Sequence, residues 1–197
     1  MTPTAGLLLL QQMPEAGPTP NDEALLAALA EIRQRGAIGE VSLVAAIAHA
    51  DQFVAALPAE IRCVADLGSG GGLPGLVIAV RRPEIALTLV ERRASRADLL
   101  RRAVLALRLA DHVQVVAGDV RELADAQPRS FDAVTARSFA APAITARWAG
   151  ELLKPQGMLV VSEPPAPDPN RWPADDLTAA GLIDLGCIGG IRRFWRR

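Results

Sequence analysis

The chain has 197 residues, half of them hydrophobic, and a formal net charge of −1. That length suits one domain with a sizeable core, and the near-neutral charge excludes a global basic field that would draw nucleic acid to the whole surface. No apolar run reaches the roughly 18 residues of a membrane helix, and Leu7–Leu10 is too short for a secretory signal and lacks a basic stretch before it, so a cytoplasmic protein with no membrane partner is expected.

Residues 1–20 carry Pro3, Pro14, Pro18 and Pro20 without sustained periodicity and read as a flexible N-terminal segment. Residues 21–197 read as a single domain, of which 21–58 form a helical cap. Asn21 is a plausible N-cap, with Asp22 and Glu23 in the first turn and Leu25, Leu26, Leu29 and Ile32 at helical spacing up to Gly36. A second helix fits Ser42 to Leu57, with Leu43, Ile47, Val54 and Leu57 inward and Pro58 as its stop. These helices either cap one end of a sheet or frame a substrate pocket.

A regular alternation follows. Strands at Cys63–Leu67, Ala86–Glu91, Val113–Ala117, Phe131–Ala136 and Met158–Ser162 are separated by helical stretches from Pro74, Ser95, Val120 and Pro142. Strand alternating with helix predicts a mostly parallel, doubly wound α/β sheet covered on both faces, with right-handed crossovers. After a proline-rich stretch from Pro164 to Pro173, a short helix and a hairpin, Ile183–Ile188 and Ile191–Trp195 around Gly189-Gly190, close the chain.

Val64 to Gly75 stands out, with five glycines in the eight residues from Gly68 to Gly75 between a strand and a helix. Glycine accepts positive φ and lets backbone approach a ligand closely. Gly70 to Gly75 fits G-x-G-x-x-G with Glu91 lying 21 residues after Gly70, as in dinucleotide binding. The same residues fit D-x-G-x-G-x-G from Asp66 to Gly72, which places a carboxylate at the strand end. Only about 60 residues follow the fourth strand, little room for the substrate domain of a dehydrogenase, and this weighs against NAD.

Asp66-Leu-Gly-Ser-Gly-Gly-Gly-Leu-Pro-Gly75, Glu91 closing the second strand, Phe131-Asp-Ala-Val-Thr-Ala-Arg-Ser-Phe139 and Leu153-Lys-Pro-Gln-Gly157 together resemble class I S-adenosylmethionine (SAM) methyltransferases, with a Rossmann-like fold. More narrowly they resemble the GidB/RsmG family, which methylates guanine N7 in small-subunit rRNA. The resemblance implies SAM as cofactor and rRNA or the ribosomal small subunit as partner. It implies that Gly68, Gly70 and Gly72 let backbone reach the methionine portion, with Asp66 near its ammonium and Leu73 packing on the ligand. Glu91 corresponds to the ribose-binding acid, and Asp119, Val120 and Arg121 to the adenine segment. Arg137 matches the family's strand-four arginine, beside cofactor and substrate, and is the candidate catalytic residue. In plainer structural terms Glu91 is a strand-end acid, Gly118-Asp119 a turn with an N-cap, and Arg137 half of a buried ion pair. The chain departs from the family in lacking its Lys-Trp-Asn and Asn-Leu-Thr elements before the first strand, and in carrying Ser95 at a position that is commonly lysine.

Guanine N7 has a free lone pair and needs no general base, so in-line methyl transfer asks mainly for alignment. No Asn/Asp-Pro-Pro-aromatic follows the fourth strand, and Ser162-Glu163-Pro164-Pro165, after the fifth, reads as linker. His49 and His112 pair with no serine or cysteine as a hydrolase would require, and no metal set is evident; Cys63 and Cys187 read as buried free thiols. Trp148, Trp172 and Trp195 read as core or rim packing. Arg92, Arg93, Arg96, Arg101, Arg102 and the C-terminal arginines read first as a solvated face, with an RNA patch as the alternative. The competing functions are a small-molecule SAM methyltransferase, whose cap helices form a lid, and a non-catalytic SAM-binding or interaction module.

Overall fold

The computed structural model describes residues 20–166 and 168–197. The expected flexible segment therefore lies outside the described residues except for Pro20, which opens helix α1 (Pro20–Gln34). Leu25, Leu29 and Ile32 are buried on one side of that helix, as their spacing predicts. Helix α2 (Leu43–Ala56) is capped by Ser42, whose hydroxyl accepts the Ala45 amide at 3.3 Å. Phe53, fully buried, takes the deep position in its last turns, and Val54 packs only partly buried beside it.

The alternating elements then follow as β1 (Cys63–Leu67), α3 (Gly75–Arg81), β2 (Ala86–Glu91), α4 (Ala94–Ala106), β3 (Val113–Ala117), α5 (Val120–Ala126), β4 (Phe131–Ala136), α6 (Pro142–Leu152) and β5 (Leu153–Ser162). The chain closes with α7 (Ala174–Ala179), β6 (Leu182–Ile188) and β7 (Ile191–Arg196). Strand β5 begins five residues earlier than the apolar run suggests, because Leu153 pairs with Phe131 before a bulge over 154–157 resets the register to Ala133 and Met158.

One seven-stranded sheet has the order β3-β2-β1-β4-β5-β7-β6. Strands β1 to β5 are parallel, and β7 pairs antiparallel with both β5 and β6. Successive strands build outward from β1 on one side, then the chain returns to lay β4 on the other. That reversal puts the switch point between β1 and β4, where the carboxyl ends of parallel strands leave a crevice. Helices α1 to α4 pack with one face of the sheet and α5 to α7 with the other.

Two polar ties fix this frame. Asp132 Oδ2 accepts the Arg62 and Cys63 amides at 3.0 and 2.9 Å, and Oδ1 pairs with Lys154 Nζ at 2.6 Å, joining the starts of β1, β4 and β5. Partial burial would raise the Asp132 carboxyl, but the Lys154 ammonium and the two amides outweigh it and hold it below its usual value. Arg81 on α3 pairs with Asp22 of α1 at 2.5 Å and Asp51 of α2 at 3.0 Å, so the cap helices are tied to the first crossover.

Both cysteines are free; Cys63 is half-buried and Cys187 is exposed, contrary to the expected burial, because β6 is the edge strand. Glu163 also departs from a linker. Its side chain is 1% exposed and receives Trp172 Nε1 at 2.5 Å, with the Nε atoms of Arg171 and Arg192 each 2.9 Å away. Among the described residues no helix is long and apolar enough to cross a membrane.

Candidate cofactor site

A cavity of about 400 Å³ opens at the carboxyl ends of the strands beside the switch point. Its wall is built by the end of β1 at Gly68, the end of β2 at Val90–Arg93, the β3–α5 turn at Gly118–Val120, and the segment after β4 at Ser138–Ala140. Ile144 and Trp148 of α6 close one side.

The glycine turn is held from two directions. Gly68, Gly70 and Gly72 all take left-handed φ, of 66°, 52° and 88°, so the chain coils back on itself within five residues. The Ser69 amide donates to the Val90 carbonyl at 3.0 Å, and the Ser69 hydroxyl to the Asp66 carbonyl at 2.9 Å. Glu91, 5% exposed, accepts the Gly70 amide on Oε2 at 3.0 Å and the Arg93 amide on Oε1 at 2.8 Å. Close approach also explains two of the glycines. A Cβ on Gly68 would stand 2.8 Å from Phe139 Cδ2, and one on Gly71 would stand 2.3 Å from Ile38 Cγ1 and 2.9 Å from the Ala37 carbonyl, so the α1–α2 connection seats directly on the turn.

Of the sequence-expected residues, Gly68, Glu91, Asp119 and Val120 meet on the cavity wall. Asp119 caps α5 by accepting the Arg121 amide at 2.9 Å, and the Arg121 side chain is exposed and not part of the wall. Gly70 stands behind the wall on Glu91. Gly72 and Leu73 face the core instead: a Cβ on Gly72 would lie 2.4 Å from Leu76 Cδ1, and Leu73 is 5% exposed within the larger apolar cluster.

Asp66 is 1% exposed and lies beneath the turn. Parallel register sets it beside Thr135, whose hydroxyl donates to Oδ1 at 2.7 Å, while Oδ2 is buried with no hydrogen-bond partner. Burial raises its carboxyl to about 6, against the Thr135 hydrogen bond and the Arg137 charge, which pull it down. Arg137, half-buried past the end of β4, is depressed by desolvation and supported by the Asp66 charge. It also faces α2: burial first, then the Arg137 charge, lowers His49. Arg92, Arg93 and Arg96 line the cavity wall, whereas Arg137 is not among its lining and lies close enough to α2 for its charge to act on His49.

Ser138 and Phe139 enter the sequence reading only as the end of the Phe131–Phe139 motif, with no role of their own, although Ser138 holds a left-handed φ of 55° directly after Arg137. A positive φ at a side-chain-bearing residue is invisible to composition. Trp148 does sit at a rim, with the Arg147 guanidinium 5.0 Å from its ring centroid.

The chain is 48% identical over 101 residues to the ribosomal RNA small subunit methyltransferase G of Salinispora tropica, a match covering 49% of this chain and 42% of that protein. It is 40% identical over 97 residues to the protein of the same name from Neisseria meningitidis, covering 49% and 45%. The matched stretch therefore spans less than half the length of these relatives. Among solved structures, an O-methyltransferase from Bacillus cereus in complex with SAH shares the fold at a TM-score of 0.59 and 16% identity, covering 89% of this chain and 90% of that one. The cofactor-bound protein Rv0187 from MTB does so at 0.62 and 21%, covering 89% and 90%. The model of the family described as rRNA small subunit methyltransferase G matches residues 29–163, and this chain belongs to that family.

Proposed function

We propose that the chain binds SAM in the cavity beside the switch point and transfers its methyl group to a guanine N7 of small-subunit rRNA. The observation that carries this reading is the convergence of Gly68, Glu91 and the Asp119–Val120 turn on one cavity of about 400 Å³, the size of a nucleoside-type ligand site. Each Glu91 oxygen accepts one backbone amide, which leaves a lone pair on each for a ribose hydroxyl. The Asp119–Val120 turn lies where an adenine would reach, and Gly68 offers backbone to the amino-acid end. Asp66, Gly70, Gly72 and Leu73 support the turn from within.

Bound there, SAM supplies an electrophilic methyl on a sulfonium. The residues of this chain position, desolvate and hold. Phe139 and Trp148 exclude water from the wall, and Arg137, charged and half-buried after β4, orients the acceptor from the cap side. Guanine N7 carries its own lone pair, so no side chain has to remove a proton, and alignment supplies the acceleration.

A polyanionic acceptor is favoured over a small molecule by the arginines at the mouth. Arg35, Arg92, Arg93, Arg96 and Arg102 come from the turn after α1, the β2–α4 turn and α4, and none forms an ion pair among the described residues. Arg96 lines both the cofactor cavity and the adjoining groove between α1 and α4, so the basic surface is continuous with the site. An rRNA substrate also implies work in the cytoplasm, on the ribosomal small subunit.

Calorimetry with SAM, then transfer of labelled methyl to small subunits lacking the mark, tests both halves. Heat with SAM and label in the rRNA are expected. Heat with NADH and none with SAM would overturn the cofactor assignment. SAM binding with label only in small metabolites would overturn the rRNA substrate, and SAM binding without turnover of any acceptor would leave a binding module.

A further inference from the structure

A second cavity, of about 560 Å³, follows the exposed side of α6 from Ile144, which also lines the cofactor cavity, down to Gly150 and Glu151. Three arginines reach it from three separate elements: Arg147 on α6, Arg129 in the turn before β4, and Arg196 at the end of β7. The groove is narrow because α6 and α7 pack closely; a Cβ on Gly150 would stand 2.7 Å from the Ala180 carbonyl.

The arginines are held in place, and none of the three forms an ion pair among the described residues. Arg129 takes a left-handed φ of 51°, an unfavourable conformation for any residue with a Cβ, and its amide donates to the Glu151 carbonyl at 2.9 Å. That bond pins it at the C-terminal end of α6. Arg196 Nη1 is buried and has no hydrogen-bond acceptor. Burial and the neighbouring Arg129 charge push the Arg196 guanidinium down, with Glu151 opposing. Glu151 and Asp176 also line the groove, yet neither forms an ion pair among the described residues. Arg196 as a whole is only partly buried and lines the groove, and the planar fork of arginine suits phosphate.

We propose that this groove holds backbone phosphates of the RNA strand that delivers the methyl acceptor, a reading that rests on the rRNA substrate proposed above. Arg147, stacked at 5.0 Å over Trp148 of the cofactor wall, takes the phosphate nearer the methyl transfer site. Arg129 and Arg196 take one farther along α6. Ile144 and Glu151 are seven residues apart, so the track runs for about 10 Å along the helix axis. This contact is separate from the arginines at the mouth, which approach the cofactor cavity from α4.

The double variant Arg129→Gln/Arg147→Gln tests it, since both side chains are exposed and their loss should leave the fold intact. Binding to the small-subunit rRNA is measured against salt concentration, with SAM calorimetry and thermal melting as controls. Wild-type SAM affinity and melting are expected, with RNA binding weakened by roughly tenfold or more and the slope of log affinity against log salt flattened by about 1.4, two single-strand phosphate contacts. Arg33→Gln/Arg108→Gln removes the same charge elsewhere and should keep the wild-type slope. Wild-type RNA affinity and slope in the first variant, or an equal loss in the second, would overturn the groove while leaving the rRNA reading standing. Absence of salt-dependent RNA binding by the unaltered protein would overturn both.

Discussion

Glu91 Oε2 accepts the Gly70 amide at 3.0 Å, so the end of β2 holds the middle of the glycine turn. The opposite oxygen accepts the Arg93 amide, and one buried carboxylate therefore positions both edges of the cavity. Glu91→Gln can satisfy only one of the two amides, since its nitrogen donates. Leaving the other unpaired should cost about 1–3 kcal/mol, and SAM affinity should fall at least about tenfold through the lost ribose contact. Calorimetric titration with a parallel thermal melt checks this. Unchanged SAM affinity would remove Glu91 from the cofactor site.

Asp66 makes stability depend on pH. Its folded pKa of about 6 lies above its ordinary value of 3.8, so the folded state holds its proton longer than the unfolded one. The contribution is complete below about pH 4 and is lost as pH rises through about 6, amounting to roughly 3 kcal/mol. Asp66→Asn keeps an acceptor for Thr135 and abolishes this titration. Urea denaturation at pH values from 4 to 7 should give a difference between wild type and variant that grows with pH in the variant's favour. A constant difference across that range would contradict a proton-binding Asp66.

Gly75 is needed for contact rather than for turn geometry. A Cβ there would lie 2.3 Å from Leu89 Cδ2 and 2.8 Å from Asp66 Oδ2, with both neighbours fully or almost fully buried. Gly75→Ala should destabilise by about 1–3 kcal/mol through overpacking. Gly36→Ala meets nothing within 4 Å but carries the strain of a φ of 75°, about 1 kcal/mol. A Gly75→Ala variant that melts with the unaltered protein would argue against the tight seat of α3 on β1 and β2.

Glu163 joins the end of β5 to β7 and to the segment before α7. Its side chain is 1% exposed, and removing its charge leaves Arg192, at 19% exposure, without one partner. Glu163→Gln should destabilise by about 3 kcal/mol, whereas Arg171→Gln, at the more exposed end of the network, should cost less than about 1 kcal/mol. Thermal melting of the two variants orders them, and a reversed order would refute the burial of this network.

The strand and helix alternation was legible because its signals are local. β1, β2 and β4 are short apolar runs buried almost throughout, as a sheet covered on both faces requires, inward residues of α1 repeat every third or fourth position, and a left-handed turn selects glycine at positions 68, 70 and 72. Glu91 was legible for the same reason, as an acid at a fixed distance from that turn. The direction of each side chain after the turn was not. Leu73 expected on the ligand packs in the core, because the chain doubles back on itself and Leu76 and Leu100 fill the space against Gly72. The Ser162–Pro165 stretch reads as linker in one dimension, and only the antiparallel return of β7 brings Arg192 to Glu163.

By itself, the sequence determined an α/β sheet with a glycine turn at a strand end and a Glu91 to face it, since backbone conformation and short-range periodicity are written in neighbouring residues. Tertiary structure alone decided which arginines share a surface. Arg129, Arg147 and Arg196 lie on separate elements and line one groove because α6 packs over β4 and β5 and β7 follows β5 in the sheet, while Arg96, but not Arg137, lines the cofactor cavity. Long-range packing sets such convergence, and no local pattern encodes it.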